Sequence, residues 1–247
     1  MGLIEAEGIV LRSYNLAEAD KIVVCLTRHA GVVRTVARGA RRLKSKFGAG
    51  LEPFTIIALT YYEKEGRELV SLRQAEIIRS FFGLASRTET VAALAYMSEL
   101  VMEFAPPHEP NERLFRMVQA VVEALASAPD DLAALVRYFE IWTLRLAGFL
   151  PDMRSCAECA KRLGEDSPIY LNAEFKARCG LCSNRLGKEF SQAAHRQLRS
   201  AQRLSPSKFA VSARDTGAGT MDELAALSQG LIGRVLERQP RSRANLN

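Results

Sequence analysis

The chain has 247 residues, 48% of them hydrophobic, five cysteines and a net charge of +6, enough apolar material for a buried core in one to three domains. Apolar stretches such as "FTIIAL" (54–59) fall far short of the roughly 18 residues that a membrane-spanning helix needs. The acidic start "MGLIEAEG" lacks the basic character of a signal peptide, so a cytoplasmic protein without a membrane partner is expected. In that reducing setting paired cysteines hold metal more often than they form disulfides.

Five runs of strand length open the chain, at 4–12, 21–28, 32–38, 53–63 and 69–78, each rich in β-branched residues or partly alternating. "HAG" (29–31) and "EGRE" (65–68) suit tight hairpins and "NLAEAD" (15–20) a longer loop. Five short strands with one long connection, 39–52, fit an oligonucleotide-binding (OB) barrel, with an SH3-like barrel as the alternative. That connection lies in "VARGARRLKSKFGAGLEPF" (36–54). It carries Arg38, Arg41, Arg42, Lys44 and Lys46, with Arg34 just before and no acid until Glu52.

After Phe82 the apolar period becomes helical, at 88–104, 111–127 and 131–147, with Asp130 or Asp131 as an N-cap and Gly148 and Pro151 as a stop. Further helices are expected at 188–203 and 221–238, and the polar tail "QPRSRANLN" is expected to fray. The fold class is therefore α+β: an N-terminal five-stranded OB-fold barrel over 1–82, then an α-helical domain over 83–247 carrying a four-cysteine insert at about 152–187. Charge divides along the same lines, with 13 basic and 9 acidic residues in 1–82, 5 and 9 in 83–150, and 16 and 10 in 151–247. Basic ends flanking an acidic middle point to polyanionic partners.

The insert places Cys156 and Cys159 two apart, then 19 residues, then Cys179 and Cys182 two apart, which is zinc-ribbon spacing. Four thiolates leave no open position, so the expected role is one structural Zn2+ per chain, with an S4 iron site as the competing metal and redox dithiols or unrelated cysteines as the bland readings. "PIYLN" and "EFKARC" in the gap look like a hairpin that brings the pairs together. His29, His108 and His195 have no ligand spacing to the cysteines, and Cys25 sits in a strand pattern as a small buried hydrophobe. No phosphate loop, G-x-G-x-x-G or G-x-S-x-G motif occurs, and carboxylates such as Glu63 and Glu65 read as a solvated strand face. A binding protein rather than an enzyme is expected.

An uncompensated cationic loop on a small barrel has the composition that neutralises phosphates. Arg34, Arg38, Arg41, Arg42, Lys44 and Lys46 are the candidate nucleic-acid contacts; Gly39, Gly48 and Gly50 permit close backbone approach, and Phe47 with Tyr61 or Tyr62 offers a stacking face. The bland reading is a loop kept basic for solubility.

Here the residues also carry a resemblance. "GIVLR" (8–12), "EAD" (18–20), "TRHAG" (27–31), "RGARRLKS" (38–45) and "LAGFLPDMRSCAEC" (146–159) resemble, in order and spacing, the bacterial recombination-mediator family RecO. The resemblance implies a non-enzymatic DNA-repair protein that binds single- and double-stranded DNA, anneals complementary strands, pairs with RecR and helps replace single-strand-binding protein by RecA. It lays the six basic residues on the family's DNA-facing segment and the four cysteines on its zinc site. It also implies a pocket in the helical domain for the acidic tail of single-strand-binding protein. No short motif places that pocket; Arg137, Trp142 and Arg145 are candidates, with a core aromatic as the competing reading of Trp142. A zinc-ribbon RNA-binding or scaffold protein is the alternative function, and a metal-dependent hydrolase ranks third.

Overall fold

A computed structural model describes residues 2–63, 68–106, 109–164 and 167–246. Five strands, β1 (Gly2–Leu16), β2 (Asp20–Thr27), β3 (Gly31–Ala37), β4 (Ile56–Glu63) and β5 (Leu69–Arg79), close into a barrel in the order β1-β2-β3-β5-β4. The long β1 pairs with β4 through Gly2–Ile9 and with β2 through Gly8–Leu16, bending at an irregularity between Val10 and Arg12. One parallel pairing, β3 with β5, gives the OB-type Greek key rather than an SH3-like meander. Of the hairpin expected at 65–68, residues 65–67 lie outside the described residues.

Val10, Val23, Cys25, Val33, Ile57, Leu59, Tyr61 and Leu72 fill the barrel, each large side chain contributing about 1.5–3 kcal/mol by leaving water. Val24 and Leu26 are buried as well, although alternation points them outwards. A helix, α1 (Thr88–Phe104), packs on the outside of the barrel at β1, where the Ser98 hydroxyl donates to the Leu11 carbonyl at 2.7 Å. Burial on both faces leaves the strands only partly alternating. α2 (Glu112–Ser127) starts on Asn111, whose side chain accepts from the Leu114 N–H at 2.9 Å. Arg28, at the end of β2, bonds Glu7 at 2.8 Å and Glu112 at 3.3 Å while lying 4.6 Å over the Phe115 ring. The turn after it approaches so closely that a Cβ on Gly31 would stand 2.4 Å from the Glu109 carbonyl.

The chain forms two compact units, Met1–Pro129 with Arg241–Asn247, and Asp130–Pro240. The change of period after Phe82 marks the end of the barrel, whereas compactness groups α1 and α2 with it. The tail expected to fray is instead a 3-10 segment, Arg241–Leu246. The Glu99 carboxylate holds it, accepting from the N–H groups of Arg241 and Ser242 at 2.9 and 2.8 Å and from the Ser242 hydroxyl. A buried carboxylate meeting N–H groups at a helical start is a stable pairing.

The second unit packs α3 (Leu132–Leu146) with α4 (Gln192–Arg203), α5 (Pro206–Arg214) and α6 (Ala218–Val235). α3 ends as expected at Gly148, whose φ is +80°, the left-handed value that favours glycine. Asp131 stands at its N-cap without capping by its side chain; the carboxylate pairs with Arg214 at 2.8–2.9 Å. The helix expected from residue 188 begins only at 192, because Lys188–Phe190 pairs as β8 with β6. α5, absent from the sequence reading, starts on Ser205 followed by Pro206, with Ser205 accepting from the Lys208 N–H. Glu140 is fully buried and takes hydrogen bonds from Arg137 and Ser228. No helix among the described residues is long and apolar enough to cross a membrane.

Candidate nucleic-acid interface and four-cysteine centre

The segment from Arg38 to Thr55 joins β3 to β4 as successive turns and a short 3-10 element, Gly48–Leu51. It is fastened at both ends. Near the start, the Gly39 N–H donates to the Asp20 carboxylate at 2.8 Å, the Arg41 N–H to the Ala19 carbonyl at 2.9 Å and the Arg41 guanidinium to the Ala17 carbonyl at 3.0 Å. Further on, Phe47, Leu51 and Phe54 are buried, the first two within the barrel core. The cations Arg38 to Lys46 lie between the hydrogen bonds at the start and the buried anchors that follow, so the charged side chains face outwards from a stretch held on both sides.

All six candidate basic residues, Arg34, Arg38, Arg41, Arg42, Lys44 and Lys46, are exposed, and among the described residues none of them is in an ion pair. Arg34 reaches the surface from β3 and the other five from the connection. Uncompensated guanidinium and ammonium groups on a fixed backbone form a surface suited to a polyanion. Gly39 and Gly48 take positive φ and Gly50 does not. The expected stacking face is corrected: Phe47 and Tyr61 are only 3% and 1% exposed because both fill the core. Tyr62 remains at the surface, with Arg73 at 4.6 Å over its ring.

The insert is built on β6 (Ile169–Leu171) between β7 (Ala177–Cys179) and β8; the expected hairpin is the β6–β7 pair. Each C-x2-C forms a turn, the Ala160 N–H bonding the Cys156 carbonyl at 3.0 Å and the Ser183 N–H the Cys179 carbonyl at 2.9 Å. The Ala157 N–H bonds the Ala177 carbonyl at 2.8 Å, drawing the first turn onto β7. The four sulfurs then lie within 4.8 Å of one another, and those of Cys159 and Cys179 are 3.8 Å apart. Four thiolates at about 2.3 Å from one tetrahedral ion stand about 3.8 Å apart, so the donor set fits a metal ion. The separation is far too long for a disulfide, whose sulfurs sit about 2 Å apart.

Burial opposes ionisation of Cys156, yet N–H groups of Cys159, Cys179 and Glu158 bring its thiol down to about 6. Cys179 is also lowered, chiefly by the Cys182 N–H. Cys182 moves up to about 12, chiefly because its thiol hydrogen-bonds the Cys159 and Cys179 sulfurs. A bound cation would favour the thiolate at all four positions. Arg178, which the spacing argument missed, ties the two turns together by bonding Glu158 at 2.7 Å and donating to the Cys182 carbonyl. Cys25 is fully buried in the barrel, and burial pushes its thiol up to about 12, as an inert core residue requires.

Of the candidates on α3, Trp142 donates its indole N–H to the Ala201 carbonyl at 2.8 Å. Arg145 lies 4.5 Å over that ring and bonds the Gln202 carbonyl at 2.8 Å. Arg137 is engaged with Glu140 and Ser228. These contacts hold α3 against α4 and α6.

The barrel's strand order and the attached helical unit with its four-cysteine ribbon define an OB-type protein with a candidate structural metal site. Comparison with known proteins takes this further. The N-terminal model of recombination protein O matches residues 1–81 and the C-terminal model residues 85–244. The DNA repair protein RecO of Anaeromyxobacter dehalogenans strain 2CP-C is 36% identical over 183 residues, covering 74% of this chain and 72% of the relative. That of Koribacter versatilis is 34% identical over 161 residues, 65% of each chain. The chain belongs to the RecO family of DNA repair proteins.

Proposed function

We propose that this chain is a non-enzymatic, DNA-binding recombination mediator of the cytoplasm and nucleoid. In this reading Arg34, Arg38, Arg41, Arg42, Lys44 and Lys46 contact the phosphates of single- and double-stranded DNA. Neutralising two polyanions lets the protein anneal complementary strands, and with RecR it helps load RecA on DNA coated by single-strand-binding protein. Membership of the RecO family of DNA repair proteins supports these partners. The observation that carries the DNA surface is the anchored, uncompensated cationic connection on an OB-type barrel. The four cysteines would hold one structural Zn2+, which would fix the ribbon without an open position for chemistry.

The test is titration with single-stranded DNA at several salt concentrations. Alanine at Arg38, Arg42 and Lys44, which spares the Arg41 hydrogen bonds, is expected to weaken binding of different sequences about equally, because phosphates carry no base identity. It should also reduce the magnitude of the log–log salt slope by about 2, or about 0.7 per lost contact. An unchanged slope in the folded variant would remove this surface from the reading. Preference for folded RNA over single-stranded DNA would favour the zinc-ribbon RNA-binding alternative.

A further inference from the structure

Amid the cations stands one side chain of the opposite character. Leu43 is fully exposed, at 108% of its reference area, the most exposed large apolar residue among those described. Arg41, Arg42, Lys44 and Lys46 surround it in sequence, and all are exposed. Leu43 occupies the second position of the turn Arg42–Ser45, which the Ser45 N–H closes on the Arg42 carbonyl at 2.9 Å. Both flanks of that turn are held, by the Asp20, Ala17 and Ala19 hydrogen bonds before it and by the buried Phe47 ring after it.

A leucine on a slack loop folds back onto the nearest apolar surface, whereas a held turn keeps this one in water. In the free protein it gains nothing there, because its neighbours are hydrated charges. It gains only against an apolar surface delivered by whatever those charges attract. A single nucleic-acid strand is such a ligand, with phosphates for the cations and flat apolar base faces behind them. In duplex DNA, proteins that contact phosphates with basic side chains insert aliphatic side chains between adjacent bases to part them.

We propose that Leu43 is an apolar wedge that inserts between adjacent bases of the strand whose phosphates the surrounding cations hold; this rests on the reading of the connection as the DNA-binding surface. The cations supply attraction and register, and Leu43 unstacks the step they hold. An unstacked base turns its pairing edge more freely towards a second strand.

The test uses the full chain and a single-stranded oligonucleotide carrying 2-aminopurine, whose fluorescence rises when it is unstacked. Saturating wild type should raise the signal. Leu43→Gln, similar in size but polar, should lose that rise and bind about fivefold more weakly, the effect of forgoing partial burial of one leucine. Its salt slope should be unchanged because no phosphate contact is lost. Leu43→Met should restore both affinity and signal. An unchanged rise with folded Leu43→Gln, or none with saturating wild type, overturns the wedge. The Arg38/Arg42/Lys44 triple alanine variant separates the two ideas. If it keeps wild-type affinity and slope, the DNA surface lies elsewhere and the wedge falls with it. If it loses slope while Leu43→Gln still unstacks, only the wedge is wrong. Leu43-dependent binding to phosphatidylserine vesicles, without unstacking of DNA, would also overturn the proposal.

Discussion

The cationic connection of the barrel and the cysteine ribbon are both irregular segments rich in turns, yet they are held in opposite ways. In the connection the anchoring residues, Phe47, Leu51 and Phe54, differ from the exposed cations, Arg38 to Lys46. In the ribbon three strands of three residues each make up the regular structure, and the cysteines that could hold a metal, Cys179 in β7 among them, sit in the turns that join it. Where anchor and effector are separate residues, function can be changed without disturbing the fold. Where they coincide, losing the ligand set means losing the structure.

The sharpest way to break this comparison is to remove the four-cysteine ligand set. Cys156→Ser and Cys179→Ser, or a strong chelator, are expected to unfold the ribbon, because binding at four-cysteine sites is coupled to folding and contributes about 10–16 kcal/mol in small zinc domains. Elemental analysis should find one zinc per chain in wild type, and hydrogen exchange should show lost protection between β6 and β8 with the barrel unchanged. A metal-free ribbon with full protection would contradict it.

Phe47→Ala comes next. Truncating a buried phenylalanine typically costs about 3–5 kcal/mol, so thermal melts should show a destabilised barrel. DNA affinity should fall although every charge remains, since the cations lose their fixed backing. Undiminished affinity in the folded variant would mean that anchoring is irrelevant.

Glu99→Ala should have a smaller effect. It leaves the Arg241 and Ser242 N–H groups without their acceptor, at about 1–3 kcal/mol for buried donors left unpaired. Exchange of those two amides should accelerate. The smallest change expected is the stability of the Arg38/Arg42/Lys44 triple alanine variant, within about 0.5 kcal/mol per exposed site. A collapse in its melting temperature would show that the cations themselves hold the connection.

Much of this was legible beforehand because it depends on local spacing. The five strands, the helices at 88–104 and 112–127 and the stop at Gly148 follow from period and turn chemistry. Paired C-x2-C spacing sufficed for the cysteine centre because each half is a closed local turn. The misreadings share a cause. Phe47 and Tyr61 look like stacking aromatics in sequence, but whether an aromatic next to cations faces solvent or core depends on the strand and turn that carry it. Lys188–Phe190 favours a helix locally and pairs with β6 instead. The polar tail became ordered through one carboxylate 142 residues earlier in the chain.

The sequence by itself determined the barrel's strands, the helical body, the metal-binding spacing and the family, since periodicity, turn residues and short motifs act over a few neighbouring positions. Only tertiary structure decided which aromatics are core, that Arg178 ties the two cysteine turns, that Glu99 holds the C-terminal segment and that Leu43 stands alone in solvent among the cations. Each of these depends on which distant groups pack against a residue, and burial, unlike periodicity, is set by the whole fold.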